Sequence, residues 1–374
     1  MKRVRAIVKK EFRQIRRDPL SLALLVFIPA LLLVMYGYAL SFDVKHIAIG
    51  VLDQDRTRES RRFLDSLFQN PYFDWKQTLS RPEEAKDLLA RGVVRAVLIV
   101  PREYAKRLAR GEPVEVQALV DAADANTASA AIGYLDALAD RATRQLRTEA
   151  LARAGLPAAL PAVVPEPRIW FNPELTSAKF LVPGLVGMLL MLSAVIATAL
   201  SIVREKERET MEQMMVSPLR PGELIIGKTV PYILICVVTV AIVLGLGYAL
   251  FGVAVRGSFL WLSVAVLVFL FASLGLGVLV SAVTRSQQIA FQVGILVSLL
   301  PSLLLSGFIF PLKNMPLAVQ AVTLIIVPRY FIASLRDIIL KAAPFRVLWP
   351  HLAAMLALGL LFNLIAARAT RKAI

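Results

Sequence analysis

The sequence predicts a polytopic α-helical membrane protein with six transmembrane helices, an N-terminal interfacial amphipathic helix and an inserted extracytoplasmic α/β (α+β) domain. Three observations support this fold class. Of the 374 residues, 57% are hydrophobic and only 19% are charged, whereas about a quarter of an average soluble protein is charged. Six charge-free apolar runs are each long enough to cross a hydrocarbon core of about 30 Å. Residues 43–177 form a polar block without such a run.

The net charge of +16 is located in the apolar parts of the chain. Residues 1–42 hold 8 basic and 2 acidic residues, residues 43–177 hold 19 of each, and residues 178–374 hold 16 and 6. A DNA-binding domain would concentrate its surplus cations in a soluble segment, so the distribution argues against nucleic acid as a partner. Cations beside apolar spans instead indicate contact with anionic membrane lipids. Cys236 is the only cysteine, which excludes a disulfide scaffold.

Residues 1–19 are predicted to form a cytoplasmic interfacial helix. Eight basic residues accompany an apolar stripe with helical spacing, which consists of Val4, Ile7, Val8, Phe12 and Ile15. Residues 20–42 follow as the first transmembrane helix. Their apolar run is longer than the roughly 7–15 apolar residues of a signal peptide, so we expect an uncleaved anchor.

Residues 43–177 alternate between strand-like and helix-like segments and are predicted to be the extracytoplasmic domain with its stalk helix. The predicted strands are 46–52, 73–79, 95–100 and 114–120, and the predicted helices are 57–68, 82–91 and 125–154, with a short helix before the last strand. Prolines between residues 157 and 167 mark a stiff linker. Asp121, Asp124 and Asn126 are weak calcium candidates, because the glycine and terminal glutamate of an EF-hand loop are missing; a capped turn is the preferred interpretation.

Residues 178–374 contain the other five predicted spans, at 180–203, 229–255, 257–284, 286–312 and 347–367. Orientation follows from the enrichment of lysine and arginine in short cytoplasmic loops. With the N-terminus in the cytoplasm, 17 basic residues lie inside and six lie in short outer loops. Both termini are therefore predicted to be cytoplasmic, in a multi-pass protein of the plasma (bacterial inner) membrane.

Residues 222–229 match the P-loop pattern G-x-x-x-x-G-K-[ST], but we predict no nucleotide site there. A P-loop requires a buried strand before the phosphate-binding loop and a helix after it. Here Pro218 and Pro221 precede the motif, and its middle residues are bulky and apolar. The preferred interpretation is a helix start with an interfacial Lys228. No catalytic residue, metal ligand or cofactor site is predicted on this chain.

Residues 204–218 are predicted to form a short cytoplasmic helix between the second and third spans. Charges of both signs mix over its first residues, which favours ion pairs one helical turn apart. Methionines follow and suit docking to a partner protein, although a solvated loop remains the alternative. The candidate contact residues are Arg204, Glu205, Glu207, Arg208, Glu212, Met214, Met215 and Pro218.

Several motifs, in order along the chain, resemble the permease subunit of type-2 ABC transporters, in the bacterial exporter subclass with a large extracytoplasmic domain after the first span. They are Lys10-Glu-Phe-Arg-Gln-Ile-Arg-Arg-Asp-Pro19, Met214-Met-Val-Ser-Pro-Leu219 with Gly222-Glu-Leu-Ile-Ile-Gly-Lys228, Leu305-Ser-Gly-Phe-Ile-Phe-Pro311 with Met315-Pro316, and Val327-Pro-Arg-Tyr-Phe-Ile-Ala-Ser-Leu-Arg336. The resemblance covers both ends and the whole membrane half.

The resemblance implies two permeases, identical or related, powered by two separate ABC ATPase subunits that bind ATP and magnesium. It implies that the N-terminal helix and residues 204–218 rest on the ATPase. The cargo would be lipophilic or amphipathic, of the drug, lipid or polysaccharide class. Membrane lipids and a periplasmic adaptor are further expected partners.

Residues 311–341 are predicted to lie on the outer side as a re-entrant segment that prolines break into short helices. On the transporter interpretation, residues of this region line or gate the exit, and the candidates are Phe308, Phe310, Pro311, Pro328, Arg329 and Tyr330. Helix punctuation and anchoring at the membrane interface explain these residues equally well.

Other function classes remain open. An ion-gradient-driven secondary transporter or channel usually carries charged or histidine residues within the membrane. The predicted second to sixth spans contain no acidic residue, and their strongest polar cluster is Gln287, Gln288 and Gln292. A membrane-anchored ligand-sensing scaffold would not need six spans, and no nucleophile or metal set supports a membrane enzyme. Co-purification of an ATPase would decide between these classes.

Overall fold

The computed structural model describes residues 2–39, 46–69, 72–153, 170–173, 176–209 and 221–372. These residues contain thirteen α-helices and four β-strands. The chain divides into two units. A helical unit comprises Met1–Ser41 and Ile169–Ile374, and an α/β unit comprises Phe42–Arg168. The α/β unit is thus inserted into the sequence of the helical unit.

The helical unit begins with α1 (Lys2–Arg17) and α2 (Pro19–Ala39). α1 is amphipathic as predicted, since Ile7 and Glu11 are buried while the basic residues whose side chains are described are exposed. Pro19 begins α2, a position where its missing N–H is tolerated. Within α2, Leu25–Ala39 is an apolar helix shorter than a typical span.

Five helices of this unit are long and apolar enough to cross a membrane: α7 (Ser177–Glu207), α8 (Pro221–Phe251), α9 (Phe259–Val283), α10 (Gln287–Leu304) and α13 (Phe345–Lys372). Two more, α11 (Leu317–Thr323) and α12 (Val327–Lys341), meet at an angle of 84° and add a sixth span if they are counted as one. The predicted six spans include α2 and leave out this bent pair, so the exact number of spans stays a prediction.

α7 lies at the centre of the helical unit and packs against α2, α8, α9, α10 and α12. It is buried along most of its length, with Leu185, Leu189 and Ala194 almost fully enclosed. α9 packs along α13, and the stacked rings of Phe269 and Phe331, with centroids 4.0 Å apart, join α9 to α12. An apolar helix buried on most sides is expected at the centre of a bundle.

The span predicted at residues 286–312 is shorter in the structure, because α10 ends at Leu304. Gly307 then takes a φ of +79°, which residues with a side chain rarely adopt, and the chain turns. A 3₁₀ turn follows at Leu312–Asn314. As predicted, the prolines at positions 311, 316 and 328 each lie at the beginning of a helical piece.

The α/β unit is built on a four-stranded sheet of β1 (Ile47–Asp53), β2 (Phe73–Thr78), β3 (Ala96–Val100) and β4 (Gln117–Val120), in the order β2-β1-β3-β4. β1 runs parallel to β2 and β3, and β4 is antiparallel to β3. β3 is buried at every position, as expected for a strand covered on both faces.

Helices cover both faces of this sheet. α3 (Arg58–Phe68), α5 (Tyr104–Ala109) and α6 (Ala125–Arg153) pack on one face, and α4 (Glu83–Ala90) packs on the other. Every strand and helix predicted in this block is present within three residues of its predicted ends. Asp124 accepts hydrogen bonds from the Asn126 N–H and the Thr127 hydroxyl, which is the capped turn preferred over a calcium site. The predicted proline-rich linker lies outside the described residues.

Candidate functional site

Four charged side chains meet where α1, α7 and α8 come together, and we refer to Lys10, Glu11, Glu205 and Lys228 as the ionic cluster. The Lys228 ammonium donates to Glu11 Oε1 at 3.0 Å and lies 3.5 Å from Glu205 Oε1. Lys10 Nζ donates to the same Glu205 oxygen at 2.9 Å. Glu11, Glu205 and Lys228 are only 3%, 4% and 4% exposed, so buried charges join the three helices.

The ionic cluster forms because α1 packs closely against the beginning of α8. Ile7 and Glu11 are one helical turn apart and therefore lie on the same side of α1. Gly227 directly precedes Lys228, and a Cβ atom added to it would lie 2.7 Å from Ile7 Cβ. The missing side chain lets the two helices approach closely enough for Lys228 to reach Glu11.

The ionic cluster is neutral overall, with two ammonium groups and two carboxylates. Taking an ion out of water costs several kcal/mol, which only partners of opposite charge and further hydrogen bonds offset. Lys228 has such an additional acceptor in the backbone oxygen of Ser201, at 3.3 Å. Removing one partner of a buried pair costs about 3–5 kcal/mol, so the ionic cluster resists separation of the helices.

A second set of polar contacts holds the last turn of α7. Arg204 donates to Asp18 at 3.1 Å and to Gln287 Oε1 at 3.3 Å. The Glu207 carboxylate accepts from the Gln287 backbone N–H at 2.6 Å and from its side-chain amide. Lys206 donates to a backbone oxygen at the end of α9. The end of α7 is thereby tied to the α1–α2 junction, to α9 and to α10.

The predicted cytoplasmic helix 204–218 does not begin as a separate element, because residues 204–207 continue α7 as its last turn. The structure gives Arg204, Glu205 and Glu207 the contacts described above, and Arg208 is the exposed residue that ends α7. The other candidates lie outside the described residues, namely Glu212, Met214, Met215 and Pro218. Contact of these residues with a partner stays a prediction.

The P-loop-like residues 222–229 are helical throughout, as part of α8. A P-loop needs a loop whose backbone N–H groups wrap around phosphates before the helix begins, whereas here the whole motif lies within a helix that already begins at Pro221. The helical interpretation is therefore confirmed, but Lys228 does not extend into solvent as an interfacial lysine would. Lys228 is buried, because the carboxylates of Glu11 and Glu205 surround its ammonium.

The predicted gate residues differ in their surroundings. Phe308 is 1% exposed and its ring fills the space beside Gly184, whereas Phe310 is 53% exposed. Pro311 precedes the 3₁₀ turn, and Pro328 lies in the first turn of α12. Phe308 is thus part of the core, and Phe310 is the aromatic ring available at the surface.

Arg329 and Tyr330 stabilise the bend between α11 and α12. The Arg329 guanidinium donates to the Thr323 hydroxyl and lies 5.5 Å from the centroid of the Tyr330 ring. The Tyr330 hydroxyl donates to the Leu324 carbonyl at 2.9 Å. Both side chains therefore have a structural role, and contact with a substrate stays a prediction.

Arg336 on α12 was not among the predicted gate residues, although it joins three backbone carbonyl groups of two other segments. Its guanidinium donates to the carbonyl oxygens of Phe180, Gly307 and Phe308 and lies 3.7 Å from the centroid of the Phe180 ring. It holds the beginning of α7 and the turn after α10 against α12. The adjacent Asp337 is 8% exposed and pairs with a lysine one turn away, so a buried carboxylate is present outside the predicted spans.

A cavity of about 290 Å³, which we call the N-terminal cavity, lies between α1, α2, α7, α8 and α10, next to the ionic cluster. Most of its wall is apolar and includes Leu25, Leu32, Leu189, Leu192, Ile196 and Ile295. One end is polar and consists of Glu11, Gln14, Asp18, Ser201, Arg204 and Tyr232. The cavity therefore joins an apolar chamber to a hydrogen-bonding end.

The sequence contains weak signals for the ionic cluster, which the sequence analysis did not predict. Glu11 is the only acidic residue of α1, and Lys228 is a charge directly before a long apolar run. Charged residues in apolar segments are expected to pair with one another. Their partners were not evident, because the pairing spans 217 positions along the chain.

Comparison with known proteins connects this architecture to transport. The sequence profile described as ABC-2 family transporter protein matches residues 20–368. The probable multidrug ABC transporter permeases YbhS and YbhR of Escherichia coli (strain K12) are 33% and 28% identical over 340 and 358 residues. These alignments cover 91% and 95% of this chain and 89% and 95% of the relatives. The inner membrane transport permease YhhJ of the same strain is 27% identical over 370 residues, which are 98% of this chain and 96% of YhhJ.

Proposed function

The chain belongs to the ABC-2 family of transporter proteins, and from this premise we propose how it moves its cargo. It is the transmembrane permease subunit of an ABC exporter, and the family associates with ABC ATPase subunits. We propose two ATPase subunits per complex, which hold ATP and magnesium, and a second permease that is another copy or a relative. Both termini would face the cytoplasm, where the ATPase is.

The proposed cargo is a lipophilic or amphipathic compound of the drug, lipid or polysaccharide class. Two relatives are named as probable multidrug permeases and a third as an inner membrane permease. The apolar wall of the N-terminal cavity supports the same class. A periplasmic adaptor would receive the cargo on the outer side.

We propose that the ionic cluster transmits the movement of the ATPase to the spans, and the triple contact of Lys228 is the observation that carries this proposal. An ATPase that rests on α1 and on residues 204–218 would push α1 when nucleotide closes it. Pulling α1 from α7 and α8 would leave buried charges unpaired at a cost of about 3–5 kcal/mol. Tilting the three helices together keeps every pair, so movement of α1 reaches the centre of the bundle.

On the outer side, we propose that the turn after α10 and the bent pair of α11 and α12 form the exit. Arg336 would hold this region in place, with the exposed Phe310 and the bend residues Arg329 and Tyr330 at the edge met by cargo. Helix punctuation remains the alternative role of the prolines at positions 311 and 328.

The test is to purify the chain from membranes with its ATPase and to measure uptake of a lipophilic cationic dye into inverted vesicles. Arg208→Glu, at an exposed position, should weaken ATPase association. Lys228→Met should retain association but lower dye transport at least about tenfold, the factor that corresponds to 1.4 kcal/mol. Lys86→Met, at an exposed lysine of α4 in the α/β unit, should change neither.

The rival ion-gradient transporter makes the opposite prediction. If no ATPase co-purifies, and the isolated chain drives dye uptake from a proton gradient that Asp337→Asn abolishes, the proposal is wrong. The buried carboxylate of Asp337 is the group on which such a mechanism would depend.

A further inference from the structure

We infer that the N-terminal cavity binds an amphiphile with an apolar body and a hydrogen-bond-donating head group, either a protonated amine or a hydroxyl. The apolar body would lie between α2, α7 and α10, and the head group would lie at the polar end beside the ionic cluster. The contrast between the two ends of the cavity is the first support for this assignment.

The volume of the cavity sets the size of the ligand. At about 290 Å³ it lies near the lower limit of small-molecule sites, which measure roughly 300–1,000 Å³. A helix or an extended peptide does not fit in this space. One alkyl chain or a small aromatic body with a compact head group does.

Unsatisfied polar atoms indicate what the head group must supply. Among the described side chains, three buried polar atoms lack a hydrogen-bond partner: Gln14 Oε1, Thr198 Oγ1 and Ser201 Oγ. Gln14 and Ser201 both line the polar end of the cavity. Ser201 interacts with the Tyr232 hydroxyl, so Gln14 Oε1 is the acceptor that the described side chains of this end leave for a ligand. A buried acceptor without a partner costs about 1–3 kcal/mol, so a ligand that donates to it gains that amount.

The charges at the polar end favour a donor over an anion. Glu11 and Asp18 place two carboxylates there, and among the lining residues that the structure describes Arg204 is the one cation. Arg204 is already engaged by Asp18 and Gln287. Because Glu11 is paired with Lys228 and Asp18 with Arg204, the described lining leaves a phosphate or carboxylate no uncommitted cation, whereas Gln14 Oε1 can accept from an ammonium or a hydroxyl.

Two sources offer this chemistry, an aminolipid or alcohol of the surrounding membrane and a transported cargo; the second rests on the proposed function. Lipid mass spectrometry on the purified chain distinguishes them. A retained single-chain amine or long-chain alcohol that is lost when the cavity is filled identifies a lipid. Displacement of the bound probe by the transported dye identifies cargo.

The decisive measurement is photolabelling of the full chain in nanodiscs without ATPase. The probes are three ten-carbon chains with a mid-chain diazirine, which end in an amine, a hydroxyl or a carboxylate. We expect peptides of α2, α7 and α10 to be labelled by the amine and the alcohol, and labelling by the carboxylate to be about three- to tenfold weaker, the factor for one hydrogen bond.

Variants separate the cavity from the lipid-facing surface. Ile295→Trp fills the cavity and should abolish labelling, whereas Leu296→Trp, at the next position and 57% exposed, should leave labelling unchanged. Gln14→Leu removes the acceptor and should lower labelling by the amine about three- to tenfold. Gln14→Glu adds a negative charge and should strengthen labelling by the amine more than by the alcohol.

Equal labelling by all three probes, or labelling that survives Ile295→Trp, would overturn the inference. Neither result depends on ATP or on transport. A chain that transports dye without selective labelling refutes the cavity ligand alone, and a chain that labels selectively but never associates with an ATPase refutes the proposed function alone.

Discussion

A double-mutant cycle on Glu11 and Lys228 tests whether the ionic cluster joins α1 to the bundle. Lys228→Met leaves Glu11 buried without its ammonium partner, while Glu205 keeps Lys10 at 2.9 Å. Glu11→Gln leaves Lys228 with one carboxylate, that of Glu205 at 3.5 Å. The double variant removes one charge of each sign and leaves the Lys10–Glu205 pair intact.

The distances set the expected free energies. The two carboxylates lie 3.0 and 3.5 Å from the same ammonium, so their Coulomb attractions are nearly equal at one dielectric constant. Lys228→Met should therefore lower the free energy of unfolding by about 4 kcal/mol, and Glu11→Gln by about 2 kcal/mol, half as much. The double variant should lose about 3 kcal/mol, less than Lys228→Met alone, because no carboxylate is then left buried without a cation. The coupling energy is then about 3 kcal/mol, at the upper end of measured values.

The assay is unfolding of the full chain in mixed micelles, followed by tryptophan fluorescence. Trp75 is in the α/β unit and Trp170 lies beside it in sequence, so Phe replaces both in every variant. The signal then comes from Trp261 and Trp349 of the helical unit. Lys313→Met serves as the control for loss of an exposed lysine. If the sum of the two single effects equals the effect of the double variant to within about 0.5 kcal/mol, Glu11 and Lys228 are energetically independent. The inference that they join α1 to the bundle is then refuted.

Three further predictions concern other parts of the chain. Gly227→Ala should lower the free energy of unfolding by about 1–3 kcal/mol through its clash with Ile7. Gly245→Ala has open space around it and should not destabilise the chain. Equal unfolding midpoints for the two variants would contradict the close packing of α1 against α8. Arg336→Met should lower the free energy of unfolding by about 2–4 kcal/mol in the same assay, because three carbonyls lose a charged donor. If Arg336→Lys is as stable as the parent chain, the planar guanidinium is not needed to reach the three carbonyls. Burial alone would raise the pKa of Asp55, but hydrogen bonds from the Thr57 hydroxyl and the Ala105 N–H outweigh it and lower that pKa below 3.8. The stabilising effect of the Asp55 carboxylate is present above pH 3.8 and is lost as the pH falls through the lower folded pKa. Asp55→Asn should therefore lower the free energy of unfolding by about 1 kcal/mol at pH 7 and reduce the loss of stability in acid. An acid titration followed by Trp75 fluorescence that is the same for the variant and the parent chain would contradict this prediction.

Local patterns predicted the α/β unit well because each of its elements has its own boundary signal. Thr57 caps α3, Pro82 precedes α4, and the buried strand at residues 96–100 is a continuous apolar run. The helical unit was predicted less precisely. Apolar content marks a span, but it does not show that α10 stops at Leu304 and that the chain turns at Gly307.

The candidate site was the least predictable part, because its contacts are distant in sequence. The predicted contact residue Glu205 was chosen for its place in a charged loop, yet it is buried against α1 and α8. Lys228 was assigned to the membrane interface because a lysine at the start of an apolar run lowers the hydropathy there. Hydropathy contains no information about the two carboxylates that lie beside Lys228 in the folded chain. Arg336 was not selected because its partners are backbone oxygens, which have no sequence signature.

The long separation between Glu11 and Lys228 has a consequence for biosynthesis. At about 5–20 residues per second, the 217 positions between them correspond to about 10–40 s of translation. During that interval α1 has its carboxylate but not the ammonium that pairs with it. Only insertion of α8 completes the contact. The ionic cluster can therefore form only after the third apolar helix of the bundle has been synthesised.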